Sequence, residues 1–305
     1  MHDSTKPYRG RFAPSPTGPL HFGSLIAAVG SYLEARRQAG AWLVRMEDLD
    51  RPREASGAAD AILRTLEAYG FEWVGAVMRQ SRRGVAYGAA LERLQRDGAV
   101  FPCACTRREI ADSALGEPSE PVYPGTCRNG IPPGRSARAV RVRVGDAVIA
   151  FEDRLQGRIE QHLAVEVGDF VARRADGLFA YQLAVVVDDF EQGVTDVVRG
   201  ADLLASTPRQ ILLQRLLGYP TPDYAHLPVA VNASGEKLSK QTLATPLEPG
   251  DASRQLWGAL RFLGQEPPEE LVAEAVPNVW SWASAHWRHE KIERKKALPV
   301  LAIGA

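Results

Sequence analysis

Lysine is scarce in this sequence. Only six of 305 residues are lysine, at positions 6, 237, 240, 291, 295 and 296, so the basic residues are mostly arginine. Net charge is also missing, since 37 basic residues balance 37 acidic ones. A protein that coats nucleic acid is strongly basic, so neutrality excludes binding spread over the whole surface and leaves room for a local basic groove. No apolar run reaches membrane-spanning length, and the opening MHDSTKPYRGRF has no signal-peptide core. A cytoplasmic protein without membrane contact is expected. Cysteine is limited to Cys103, Cys105 and Cys127, all inside one 25-residue window. An odd number argues against a disulfide framework, and the clustering suggests a metal.

What is present is the balance of a folded protein, with 45% hydrophobic and 24% charged residues. The length allows two domains, or one large α/β domain with an insertion. Tyr8 to Ala13 reads as a short strand, broken by the turn-rich PSPTGP at 14–19. A helix follows from about Gly23 to Arg37, with Leu25, Ile26, Val29 and Leu33 at helical spacing. Residues 42–46 give a second strand, and about 57–69 a second helix. Strand and helix alternating through short connections signal a parallel, doubly wound sheet.

From Val100 to about Gly134 the sequence is rich in proline, glycine and cysteine without clear periodicity. Strands are then expected at Ala139–Val144 and Val148–Arg158, which together read as an insertion of mixed structure. The sheet is expected to resume with a buried strand over Phe179–Val187, closed by Asp188 and Asp189. Leu203–Leu217 reads as helix, Leu227–Val231 as a final strand, and the tail from Ala252 as helical. Its tryptophans (Trp257, Trp280, Trp282 and Trp287) are expected to be packing core, and the basic stretch His286–Lys296 a solvated helix face.

Two stretches have the composition of a phosphate site. In RFAPSPTGPLHFGS at 11–24, a strand leads through a turn into a helix whose N-terminus offers unpaired N–H groups and partial positive charge. Gly23 allows close backbone approach to a nucleotide, and His21 can donate to phosphate oxygens as charge builds there. The bland alternative is a proline-rich turn with an incidental histidine. In GEKLSK at 235–240, Lys237 and Lys240 can supply positive charge to a departing pyrophosphate. Alone, that segment reads equally as a solvated loop; its weight comes from its order after the first stretch.

An HxGH-like element after a strand and a KMSKS-like loop near the end of the fold mark class I aminoacyl-tRNA synthetases, and this sequence resembles them. RFAPSPTGPLHFGS is similar to the glutamyl branch, as are RMEDLDRPR at 45–53, FAYQLAVVVDD at 179–189 and VTDVVRGADLL at 194–204. The resemblance covers roughly residues 8 to 245. Ser24 replaces the last histidine of the first element, as is usual among glutamyl enzymes of this kind, and KLSKQ keeps both lysines of the second. A full glutamyl enzyme would continue into a large helical anticodon-binding domain, whereas this sequence runs about 65 residues beyond Lys240. In that it is similar to the truncated glutamyl-queuosine tRNA(Asp) synthetase branch.

The resemblance implies an α/β fold. A Rossmann-like catalytic domain would span 1–100 and 180–245, with an inserted acceptor-binding-like subdomain over 101–179 and a short helical region over 246–305 without an anticodon-binding domain. It implies formation of glutamyl-adenylate from L-glutamate and ATP with Mg2+, then transfer to queuosine in the anticodon of tRNA(Asp). His21, Gly23, Lys237 and Lys240 would be catalytic, with His21, Gly23, Ser24 and Lys240 on ATP. Arg11, Phe12, Ala13, Pro14, Ser15, Glu47, Tyr181 and Arg199 would line the glutamate pocket, with Glu47 on the ammonium. Two arginines there favour a carboxylate over an amide, because guanidinium pairs bidentately with carboxylate. Cys103, Cys105 and Cys127, with Tyr123 as an unusual fourth ligand, would hold one Zn2+; the alternative is three small buried residues. No obligatory protein partner is expected, and a monomer suffices. Three rival readings stand beside this one: charging of the 3′ end of tRNA(Glu), an idle nucleotide- or tRNA-binding paralogue, and a small nucleotidyltransferase of the HxGH superfamily.

Overall fold

The computed structural model describes residues 7–112, 122–232, 235–236 and 245–300. The chain opens with β1 (Arg9–Phe12), α1 (Phe22–Arg37), β2 (Ala41–Met46), α2 (Ala58–Ala68) and β3 (Met78–Arg79). Next come α3 (Gly84–Arg96), β4 (Val100–Cys103), α4 (Arg107–Asp112), β5 (Ala139–Val142), β6 (Val148–Asp153) and β7 (Gly157–His162). Then α5 (Leu163–Glu166) and β8 (Val171–Arg173) lead to α6 (Tyr181–Glu191), β9 (Asp196–Gly200), α7 (Thr207–Leu217), β10 (Asp223–Leu227) and β11 (Val229–Val231). The tail carries α8 (Ala252–Phe262), α9 (Val276–His286) and β12 (Ala297–Pro299).

The opening units set the architecture. β1 pairs parallel with β2, and β2 with β3. β9 lies against β1, where Thr195 N–H donates to the Arg9 carbonyl at 3.0 Å. β9 pairs parallel with β10, and β10 with β6. Parallel strands need crossover helices, and α1 and α7 supply two of them. This is the α/β, Rossmann-like arrangement that the alternation predicts.

α1 begins where His21 caps it. Ser24 N–H donates to His21 Nδ1 at 3.4 Å while the Ser24 hydroxyl takes the His21 N–H at 2.8 Å, a reciprocal box that satisfies two orphan donors. Leu25, Ile26, Val29 and Leu33 are buried against the sheet. Gly30 lets the helix close on its neighbour: a Cβ there would come within 2.5 Å of Leu227 Cδ1. α8 and α9 cover the helix from outside. Trp280 joins an aromatic cluster with Tyr32 and Phe71, with centroids at 4.9 and 5.0 Å, and Trp287 Nε1–H donates to Glu34 at 2.8 Å. The tail tryptophans are thus largely core, as expected.

A second, antiparallel sheet of β4, β5 and β8 carries the cysteine-bearing segment. Phe101, Cys103, Ile110, Tyr123 and Cys127 form a small core of their own beside it. Among the described residues no helix is long and apolar enough to cross a membrane.

The structure corrects three local expectations and adds elements the pattern does not show. The run expected as a buried strand over 179–187 is helix α6 from Tyr181 onward. Its valines favour strand locally, but a two-residue period would send Asp188 and Asp189 to opposite faces. The helix lets Asp189 and Gln192 share the Arg45 guanidinium, at 2.7 and 2.8 Å. The single strand expected over 148–158 is a hairpin of β6 and β7, turned just before Gly157, whose φ of 75° lies in the left-handed region that glycine adopts freely. β10 and α3 were not legible in the pattern. Residues 286–296 form no helix face beyond His286; they run through a short 3-10 turn, His289–Lys291, toward β12.

Candidate active site

An open cleft of about 1000 Å³ lies at the carboxyl ends of β1, β2 and β9, beside the start of α1. Ligands of open α/β sheets bind in that position. Arg11, Phe12, Ala13, Pro14, Ser15, His21, Gly23, Ser24, Glu47, Tyr181 and Arg199 all line it. Every residue expected to hold glutamate or ATP that falls within the described residues is therefore brought to one cavity. Lys237 and Lys240 lie outside the described residues. The strand before them and the segment after them are placed: β11 ends at Val231, and Pro246 bridges to His21.

One end of the cleft is built by the start of α1. With Nδ1 accepting from Ser24 N–H, a neutral His21 ring has its proton on Nε2, which can donate to an anion in the cleft. Gly23 and Ser24 sit in the first turn of the sixteen-residue α1, where the helix dipole favours an anion.

Farther into the cleft two buried arginines share one carboxylate, and a third has other partners. Arg11, on β1, gives Nε and Nη2 to the two oxygens of Asp189 at 3.1 and 3.4 Å. Arg45, on β2 and fully buried, reaches the same carboxylate at 2.7 Å and Glu47 at 3.4 Å. Burial alone would raise the Asp189 pKa, but Arg11 and Arg45 outweigh it and hold the carboxyl below the usual range. Burial dominates at Glu47 and raises its pKa, with Arg45 and Arg11 opposing.

Arg199, on β9 and 5% exposed, has a different environment. Its Nε donates to His226 Nε2 at 3.1 Å, and Nη2 donates to Thr207 and Gln210 at 2.9 and 2.8 Å. Nη1 lies 3.5 Å from the Tyr181 hydroxyl. All four partners are uncharged side chains, and no carboxylate among the described residues pairs with it. A buried guanidinium without a counter-ion is costly unless a ligand supplies one.

Sequence reading missed Arg45, Asp189, Thr207, Gln210 and His226. Arg45 sits near the end of β2, two residues before Glu47, which follows directly after the strand, so a period of two places both on one face. Asp189 stood in a quoted motif but on the wrong element. The others come from segments without a motif.

In the cysteine cluster, the three Sγ atoms lie within 4.8 Å of one another, and Cys105 and Cys127 are 3.7 Å apart. Four ligands about 2.3 Å from a tetrahedral zinc would sit about 3.8 Å apart, so the spacing fits. Tyr123 Oη stands 3.5 Å from Cys103 Sγ and 3.8 Å from Cys105 Sγ. Arg141 donates to Cys103 Sγ at 3.3 Å and stacks its guanidinium 4.0 Å from the Tyr123 ring centroid. Burial disfavours the Cys103 thiolate, but the Tyr123 hydroxyl and Arg141 together bring its pKa below the ordinary value. This group can bind a metal ion.

A family model described as tRNA synthetases class I (E and Q), catalytic domain, matches residues 8–267. A glutamyl-Q tRNA(Asp) synthetase of Dechloromonas aromatica is 63% identical over 96% of this chain and 98% of its own length. One of Aromatoleum aromaticum is 61% identical over 97% and 93%. The fold is similar to a glutamate-tRNA synthetase from Elizabethkingia anophelis, with a TM-score of 0.79 and 22% identity over 97% of this chain and 68% of that one. The chain therefore belongs to the class I tRNA synthetases of the E and Q family, in the branch of the glutamyl-Q tRNA(Asp) synthetases.

Proposed function

We propose that this chain is an ATP-dependent ligase that activates glutamate as glutamyl-adenylate and transfers the glutamyl group to queuosine in the anticodon of tRNA(Asp). The observation that carries the amino-acid half is Arg199, a buried cation whose partners among the described residues are all neutral, in the same cleft as Glu47. A substrate with carboxylates and an ammonium completes that charge pattern; an amide in place of the side-chain carboxylate does so less well. The acceptor half is supported by the names of relatives that match nearly end to end.

In the proposed reaction the α-carboxylate of glutamate attacks the α-phosphate of Mg-ATP in line, and pyrophosphate leaves. His21 Nε2–H and the start of α1 stabilise the charge that develops on phosphate oxygens. Lys240, with Lys237, supports the leaving pyrophosphate. Arg199 and Arg11 orient the carboxylates and Glu47 the ammonium, while Phe12 to Ser15 form the wall. A ring hydroxyl of queuosine then attacks the activated carbonyl, and AMP departs. A neighbouring cavity of about 280 Å³ shares Ser15, Glu47 and Tyr181 with the cleft and offers room for an acceptor beside the amino acid. Cys103, Cys105, Cys127 and Tyr123 would hold a structural zinc within segment 101–179, remote from this chemistry in role; the ion would crosslink that segment.

ATP–pyrophosphate exchange without RNA tests activation. Exchange with glutamate and little with glutamine is expected. Preference for glutamine, or no exchange with either, would remove the carboxylate-selective reading.

A further inference from the structure

Arg199 is held from behind by a chain of buried groups that no motif contains. We propose that Asp153 and His226 are a positioning pair that fixes the Arg199 guanidinium for the substrate carboxylate. This rests on the reading of Arg199 as a glutamate-binding residue.

Asp153 ends β6 and His226 lies on β10, next to β9, which carries Arg199. His226 Nδ1 is 2.6 Å from Asp153 Oδ2, and neither side chain is exposed. An ionised carboxylate can only accept, so Nδ1 carries the proton and Nε2 is left as an acceptor. That tautomer is the one Arg199 requires, because its Nε can only donate. Burial and the Arg199 charge hold the imidazole below its ordinary pKa although Asp153 pulls the other way, so the ring is neutral and does not repel the guanidinium.

The other Asp153 oxygen is anchored independently. Oδ1 accepts from the backbone N–H groups of Leu155, Gln156 and His226 at 3.0, 2.9 and 3.1 Å. Three fixed donors make this position one that an oxygen must occupy. In Asp153→Asn the amide oxygen therefore stays there, and the amide NH2 faces His226 Nδ1. The imidazole must then move its proton to Nε2, which places an N–H against the Arg199 N–H. Two donors facing each other in a buried site push the guanidinium out of place, while the volume of the side chain is unchanged.

A purely structural tie between β6 and β10 predicts something else: lost stability without a selective loss of glutamate affinity. The test is ATP–pyrophosphate exchange by the full chain with glutamate and ATP each varied, in parallel with thermal unfolding. Asp153→Asn is expected to raise KM for glutamate about tenfold or more, with KM for ATP nearly unchanged. His226→Gln, whose amide oxygen can stand in for Nε2 as acceptor, is expected to keep KM for glutamate within about threefold. His226→Asn, which retains only the donor toward Asp153, should resemble Asp153→Asn. Arg199→Ala is the reference. If it raises KM while the Asp153 and His226 variants do not, or if the Gln and Asn variants behave alike, the positioning role is overturned and the Arg199 reading survives. If Arg199→Ala leaves KM for glutamate unchanged, the underlying reading falls and the pair's role with it. Should Asp153→Asn fail to fold, the contrast between the two His226 variants decides the matter alone.

Discussion

At the scale of single residues, the two arginines of the pocket differ in what already neutralises them. Arg11 shares Asp189 with Arg45, whereas Arg199 has neutral partners. Removing the shared carboxylate should therefore affect stability first. Asp189→Asn takes from buried Arg11 its carboxylate partner and leaves Arg45 with Glu47 and the more distant Asp188, and is expected to cost about 3 kcal/mol in urea unfolding at pH 7. The acid side should change as well. The folded pKa of Asp189 is lowered, so its contribution to stability is fully present above the unfolded value, about 3.9, and is lost as pH falls through the folded one. The Asn variant should lose less stability than the native chain between neutral pH and that acid range; an unchanged acid limb would show that the cluster does not link protonation to folding. Lys240→Ala belongs to the same scale. It is expected to slow activation about a hundredfold with glutamate affinity nearly intact, because the missing charge acts only as pyrophosphate leaves. Near-normal exchange in that variant would reassign the lysine loop as structural.

At the scale of elements, much of the site was legible because it lies in short contiguous motifs. His21, Gly23 and Ser24 are adjacent to one another at a strand-to-helix junction, and Glu47 sits at the end of a recognisable strand. Each needs only local geometry to reach the cleft. Asp153 and His226 are 73 residues apart, and only the pairing of β6 with β10 joins them. α6 departs from the expected strand for a related reason: its valines carry a local strand preference, and the buried acids at its far end, which meet Arg11, Arg45, Arg83 and Tyr87, decide the matter through tertiary contacts. The cysteine cluster was legible by composition, and its spacing now makes a prediction. Protein purified without chelators should carry close to one zinc per chain, and Cys105→Ser should lower that content. The variant should also loosen the segment around β4 and β5 to proteolysis more than it reduces glutamate-dependent exchange, since a structural metal contributes directly to local folding. Metal-free native protein with full stability would refute the zinc assignment.

At the scale of the whole molecule, one cleft joins a helix start suited to phosphate with a floor suited to a dicarboxylic amino acid. A second cavity opens beside it. Zero net charge fits an RNA contact confined to a small footprint, because a single stem-loop needs few phosphate contacts. The acceptor in this reaction is a modified anticodon base and not the 3′ end. Labelled glutamate and ATP are supplied with tRNA(Asp) that carries queuosine, with matched tRNA(Asp) that lacks it, with queuosine-containing tRNA(Asp) stripped of its 3′ CCA, and with tRNA(Glu). The labelled nucleotide is then mapped. Label on the queuosine nucleotide, undiminished by loss of CCA and absent without queuosine, is the predicted result. Label confined to the terminal ribose of tRNA(Glu), or equal transfer to tRNA without queuosine, would rule out the queuosine base as the acceptor.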